Sequence, residues 1–438
     1  MNNKKRSVAV LLALALVLAI VGCGTKANND GGSSEPGGSN PAAGQDKVTL
    51  EYYTWTDEAD YMQKIVDAFN AQNDDIVVKL NTISNKNNEY NTKLMVNLSG
   101  GSQVDVYSMN GTNGLGLYAS KQQLLDMTDR IKQDNLDIGA YGPSLQDVVS
   151  ILTQDKYYGL PYRTSQYALF YNKAIFEKEG IDFPQQMTWE EYAELAKRLT
   201  KGEGADKQWG GYFADWITAP LSALQKGSTI LDDNLDDVKE WLGIQDRMYY
   251  QDASHMSYKQ MKAESIDWIK QFESGNVAML VNGEWTLNML KGDIADGKTD
   301  IDFDMTLMPQ PAGANDPTSV GGVSAFMGIN PASKHQDAAF KFVAFATGEQ
   351  GGAILADASV LPAYSNDKTK DAFLKATGIQ GSGAFFEAKT VMQYPPIPEI
   401  DQINTAFDEQ RDLFLFQEQD ADKTIQKYVD QRKSILGK

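Results

Sequence analysis

Few residues in this 438-residue chain could do covalent or metal chemistry. There are two histidines, His255 and His335, in unrelated contexts, and neither has a His or Cys partner at metal-ligand spacing, which argues against zinc. The chain carries no G-x-S-x-G, no P-loop and no G-x-G-x-x-G after a strand, so no nucleophile elbow or phosphate cradle is readable. Asp and Glu total 59, so a glycosidase-type carboxylate pair can be neither excluded nor located by counting. The acidic clusters Asp232-Asp233 to Asp237 and Asp300, Asp302, Asp304 lack the Gly and terminal Glu of a calcium loop and read as solvated surface. The expectation is a chain without cofactor, metal or catalytic constellation.

What the chain does have is aromatic side chains in short, loop-like contexts, with seven Trp and twenty Tyr. A sugar ring has an apolar C–H face that an indole can cover and a rim of hydroxyls that Asp, Asn, Arg or Glu can bond. For any single aromatic the competing role is core packing.

The one cysteine has a different chemistry. Lys4, Lys5 and Arg6 precede an apolar run from Val8 to Val21, which suits a signal-peptide core and is short of the roughly 20 residues a membrane span needs. The run ends in Ile20-Val21-Gly22-Cys23, which resembles the lipobox of bacterial lipoproteins, where cleavage leaves a lipidated cysteine (acyl chains such as palmitate) at the new N-terminus. Cys23 is alone, so no disulfide can form within the chain. Residues 24–46 are rich in Gly, Ser, Asn and Ala, and a flexible coil of this length spans about 25 Å. The expectation is a signal peptide over 1–22 and a lipidated tether over 23–46. Removing residues 1–22 takes away three positive charges and no negative ones, which brings the net charge of −19 to −22. That argues against nucleic acid and against electrostatic docking on anionic lipid.

Elements that could position a site begin near Val48. Val48 to Tyr53 alternates like a strand, and Met62, Ile65, Val66 and Phe69 form one helical face. Ile76 to Leu80 reads as a second strand and Val104 to Tyr107 as a third, so the opening third is α/β with a parallel pair. Thr188-Trp-Glu-Glu191 has the form of a capping box. Asp236 to Phe272 is mostly helical, strands return at 277–281 and 303–308, and Thr424 to Leu436 is an amphipathic helix.

Several stretches together resemble one family. Leu160-Pro161-Tyr162-Arg163 leading to Tyr171-Asn172-Lys173-x-x-Phe176, then Phe272-x-x-Gly275-x-x-Ala278-Met279-x-x-x-Gly283-x-Trp285, then Val320-Gly321-Gly322 and Leu361-Pro362, follow the order seen in the family 1 extracellular solute-binding proteins. These are capture subunits of ATP-driven (ABC) importers, distantly related to maltose-binding protein. The resemblance implies a type II periplasmic-binding-protein-like α/β fold with two lobes, three crossings and a ligand cleft between them. It implies lobe 1 over 47–162 and 326–360, and lobe 2 over 163–325 and 361–438. Carried over residue by residue, it implies cleft contacts from Trp55 and Asp57 after the first strand, Asn110 after the third, and Arg163 and Gly322 at the crossings. Trp216, Glu284 and Trp285 follow from lobe two, and Tyr394 from a Pro-rich loop. Asp57 could equally cap a helix, Arg163 could equally form a hinge salt bridge, and Asp105 reads as structural.

The reading is a lipid-anchored monomer on the outer face of the cytoplasmic membrane, in a cell without an outer membrane. It captures a carbohydrate, an oligosaccharide above all, and delivers it to the transmembrane subunits of an importer. A membrane-anchored glycan hydrolase and a co-receptor that reports ligand to a sensor are the competing readings.

Overall fold

The strand Val48–Trp55 (β1) forms because its alternation buries Leu50 and Tyr52 while Thr49, Glu51 and Tyr53 stay partly exposed. The helix Ala59–Gln72 follows and buries Met62, Ile65, Val66 and Phe69. Ile76–Ile83 (β2) returns parallel to β1, with Val48 opposite Ile76 and Trp55 opposite Ile83. This is the βαβ unit the pattern predicts. Val106–Asn110 (β3) lies parallel to β1 on its other side. It starts two residues later than expected because Asp105 is used otherwise. The Asp105 carboxylate accepts from the Glu51 amide at 2.9 Å and from Ser333 Oγ at 2.5 Å.

The computed structural model describes residues 47–395 and 397–437, and the expected signal peptide, Cys23 and the tether lie outside the described residues. Beyond β3 come Leu160–Asn172 (β4), Trp209–Phe213 (β5), Val277–Gly283 (β6), Phe303–Leu307 (β7), Thr318–Ile329 (β8) and Lys389–Met392 (β9). Hydrogen bonding orders them β2-β1-β3-β8-β4-β6-β5, with β7 paired to β4 and β9 to β8.

Apolar side chains on this frame gather into two main cores. One holds Leu50, Val66, Val106, Tyr162, Phe326 and Phe342. The other holds Leu169, Tyr192, Trp241, Met279, Phe303 and Leu415. The chain runs between them at three places. β4 gives Tyr162 to the first core and Tyr167 to the second; β8 gives Val320 to the second and Val323 to the first; Leu361 and Ala363 divide the same way. The third stretch is tied to β4 by Thr164 N–H to Leu361 O (3.2 Å) and Ala363 N–H to Tyr162 O (3.0 Å). The result is a two-lobed α/β fold with the crossing strands at its centre.

Local signals hold where they are self-contained. Thr188 accepts from the Glu191 amide at 3.2 Å while Glu191 accepts from the Thr188 amide at 2.7 Å, so both halves of the capping box form. The region after Asp236 breaks into helices Asp236–Asp246, Tyr258–Glu264 and Trp268–Glu273, with a π-turn at Arg247–Gln251. His255 lies in the break, buried and stacked on Tyr212 and Phe213. Its Nδ1–H donates to Met256 O (2.7 Å) and its Nε2 accepts from Phe213 N–H (2.5 Å). Burial pushes its pKa down to about 3, so the ring is a neutral packing element. The acidic clusters are also spoken for: Asp237 accepts from Lys226, Asp302 from Lys173, and Asp304 from the Gly381 amide. Among the described residues no helix is long and apolar enough to cross a membrane.

Candidate binding cleft

β4 changes register against β8 on either side of Arg163: Pro161 pairs with Phe326, Arg163 with Ala325 and Thr164 with Val323. An irregularity of this kind re-aims a side chain. Here it falls where β4 leaves the first core, and it turns Arg163 toward a cavity of about 280 Å³ between the crossing strands. The facing strand approaches closely because Gly321 has no side chain. A Cβ there would lie 1.8 Å from the Ser165 carbonyl oxygen. Gly322, at φ +104°, lines the cavity in a conformation glycine tolerates.

Five of the nine expected contacts line this cavity together: Asn110, Arg163, Gly322, Trp285 and Tyr394. Asn110 closes β3 and stays exposed, its side chain capping nothing. Trp285 opens the helix Trp285–Ala295 with its ring folded back over Gly283, where a Cβ would lie 2.2 Å from ring carbons. The glycine of the Gly283-x-Trp285 pattern is therefore a steric requirement of the indole. Tyr167 meets the Trp285 ring edge-on at 5.9 Å and 77°. Tyr394 accepts from Gln393 Nε2 at 2.9 Å, and burial raises its pKa.

Trp216 does not line the cavity but extends its aromatic wall. Its centroid is 5.6 Å from that of Trp285 and 6.3 Å from that of Trp268, and 41% of its surface is exposed. Trp268 falls within Asp236 to Phe272, which reads from the sequence as mostly helical, and no local signal marks it as part of the wall.

Two expectations at the first strand are corrected. Trp55 is the last residue of β1 and not part of a following loop. It is 4% exposed, packed edge-on against Tyr90 in the first core, and it does not line the cavity. Asp57 sits on the 3₁₀ turn Thr56–Glu58, exposed, and caps no helix. The adjacent Glu58 turns inward instead, buried, and accepts from Tyr162 OH at 2.5 Å. Nothing in the local pattern separates Glu58 from Asp57; the tight turn decides which one faces in.

Glu58 and Glu284 explain Arg163. Its guanidinium lies 3.2 Å from Glu58 Oε1 and 3.6 Å from Glu284 Oε1. Glu284, expected as a cleft contact, is buried behind the cavity wall and pinned to the crossing strand by Ser165 Oγ (3.0 Å) and the Gln166 amide (3.2 Å). Burial pulls the Arg163 pKa down, but Glu58 and Glu284 outweigh it and the net direction is up. Burial raises the Glu284 carboxyl against the opposing pull of Arg163. Of the two roles open to Arg163, the structure shows the ion pair, while the residue still borders the cavity. Other lining residues that the sequence reading passed over are Thr112, Asn113, Ser165 and Gln393, the last of them just after β9.

Comparison with known proteins agrees with this geometry. Residues 55–353 match the family model described as bacterial extracellular solute-binding protein. An arabinooligosaccharide-binding protein of Bacillus subtilis is 22% identical over 80% of this chain and 78% of its own length. The melibiose/raffinose/stachyose-binding protein MelE of the same organism is 23% identical over 83% and 82%. The match to an arabinooligosaccharide-binding protein of Halalkalibacterium halodurans, 23% identical, spans 44% of this chain and 43% of that protein. Among solved structures, a sugar transporter from Rhizobium etli in an open conformation superposes with TM-score 0.78 at 23% identity, covering 88% of this chain and 99% of that one. An ABC substrate-binding protein from Listeria monocytogenes in complex with cycloalternan gives 0.75 at 23% identity, covering 90% and 100%. With a two-lobed fold, a cavity at the crossings and a family match over most of its length, the chain belongs to the bacterial extracellular solute-binding proteins.

Proposed function

We propose that this protein captures an uncharged oligosaccharide in the cleft and delivers it to the transmembrane subunits of an ABC importer. The observation that carries the reading is the wall formed by Trp285 and Trp216, set beside the polar rim of Asn110, Ser165 and Gln393. An apolar face with hydroxyl-bonding groups at its edge is the chemistry a sugar ring needs. The names of the relatives support the class: two bind arabinooligosaccharides and one binds melibiose, raffinose and stachyose.

The pairing of Arg163 supports an uncharged ligand. Among the described residues it is the one charged side chain lining the cavity, and two buried carboxylates already face it. One cation against two carboxylates leaves no surplus positive charge, so a uronic acid or sugar phosphate would meet repulsion where a free arginine would attract. The same pairing disfavours the hydrolase reading, because Glu58 and Glu284 are held on Arg163 instead of flanking a bond in the cavity.

Anchoring through Cys23 fits this role, since a leashed binding protein stays within reach of a membrane partner. The test is a thermal-shift and calorimetric screen of arabinooligosaccharides, melibiose, raffinose, stachyose and galacturonic acid oligomers. A ligand at 100 times its Kd adds about 2.7 kcal/mol of stability. Tight binding of the acidic oligomers in preference to the neutral ones would overturn the charge argument, and product release would overturn the binding-protein reading. Cys23→Ser should release the protein from the cell surface, and deletion of the gene should abolish uptake of the bound sugar.

A further inference from the structure

Successive residues of a strand face opposite sides, and β4 puts different side chains into two separate spaces. Arg163 and Ser165 line the cavity already described. Thr164 and Gln166 line another, of about 680 Å³, on the other face of β4. No described residue lines both spaces.

We infer that this cavity on the far face of β4 is a separate binding site for a small apolar amino acid or hydroxy acid, a molecule with a carboxylate, a neighbouring N–H or O–H donor and an apolar side chain. Each part of that ligand has its counterpart. Gln166 is 9% exposed, and its Oε1 is buried with no hydrogen-bond partner among the described residues. Its main chain is already committed: the amide donates to Glu284 Oε2 at 3.2 Å and the carbonyl accepts from the Glu284 amide at 2.9 Å. The side-chain oxygen is therefore a fixed acceptor without a donor, and a buried acceptor left unpaired is costly until a ligand supplies one. Lys389, at the start of β9, is the one charged side chain lining the cavity among the described residues. Its ammonium pairs with Asp316 at 2.5 Å, and Asp316 lies outside the lining. The two side chains are 71% and 65% exposed, so the pair is weak and leaves Lys389 open to a ligand carboxylate. Arg163, on the other face, is the opposite case, because two buried carboxylates already face it. Leu361, Phe386 and Val391 supply apolar surface for the ligand side chain. A neutral sugar would leave Lys389 unused, and inorganic phosphate would leave the apolar wall unused.

Titration calorimetry of the full folded chain with L-phenylalanine and phenyllactate tests this. Phenylacetate, which lacks the donor, and phenethylamine, which lacks the carboxylate, are the controls. Phenylalanine and phenyllactate should each bind about ten-fold more tightly than either control. Gln166→Leu should bring phenylalanine down to the level of phenylacetate. Lys389→Met changes an exposed side chain, so it serves should the first variant fold poorly. It should weaken phenylalanine about five-fold or more and leave phenethylamine within about two-fold. No binding of phenylalanine or phenyllactate, equal Kd for both acids and both controls, or an unchanged phenylalanine Kd in the folded variants overturns the site.

Discussion

Arg163 and Glu58 meet at 3.2 Å although they lie on different elements, one on the irregular stretch of β4 and one on the turn after β1. On its other side Arg163 lies 3.6 Å from Glu284, which follows β6 in the second core. One guanidinium thus joins a carboxylate from each half of the molecule at the place where the chain crosses between them. Removing a single member of a buried ion pair leaves an uncompensated charge, whereas replacing all members by apolar groups can be neutral.

Arg163→Met should therefore destabilise the protein by about 3–5 kcal/mol, and adding Glu58→Gln and Glu284→Gln, which removes the two uncompensated charges while keeping acceptors for Tyr162 and Ser165, should restore part of the loss. Urea unfolding followed by tryptophan fluorescence measures both. A single-variant loss below about 1 kcal/mol would place the trio with ordinary surface pairs.

Trp285→Ala should weaken sugar binding ten-fold or more, which is about 1.4 kcal/mol, with little change in the melting temperature of the free protein. Gly283→Ala should also weaken binding while keeping the indole, because its Cβ would displace the ring. Calorimetry on both variants separates a site role from a folding role: unchanged affinity in a destabilised Trp285→Ala would assign the ring to the core.

His255 makes stability depend on pH. Its folded pKa of about 3 lies below the ordinary 6.5, so the unfolded chain binds the proton more readily. The stability it contributes is present above pH 6.5 and is lost as pH falls toward 3, with a slope of at most about 1.4 kcal/mol per pH unit. Glu284 acts in the opposite sense. Its raised pKa favours the fold below the ordinary carboxylate range, and that contribution is lost as pH rises through the raised value. Comparing wild type with His255→Gln from about pH 7.5 to 5 cancels the Glu284 effect, and the variant should show the flatter profile.

Thr188→Ala removes one half of a capping box whose two hydrogen bonds are both formed. It should cost about 1 kcal/mol. Because the helix Trp189–Leu199 packs Tyr192 and Ala196 into the second core, the loss should register in global unfolding, measured by chemical denaturation, without changing ligand affinity.

The amino-acid sequence by itself determined the elements whose signals are local. The alternation in β1, the Met62 to Phe69 stripe and the Thr188 capping box depend on neighbours within a few residues, and they form as the pattern predicts. The sequence also carried the family order of its blocks, and with it the Gly283-x-Trp285 pair. Tertiary structure alone decided what depends on residues far apart in the chain. Trp55 and Trp285 look alike as aromatics beside a strand end, yet one is sealed against Tyr90 and the other borders the cavity. Asp57 and Glu58 are adjacent carboxylates, and the direction of one short turn decides which pairs with Arg163. Burial and charge pairing are properties of what packs opposite a side chain. For Glu58 that is Tyr162 and Arg163, about a hundred residues away in the chain and so invisible to any local pattern.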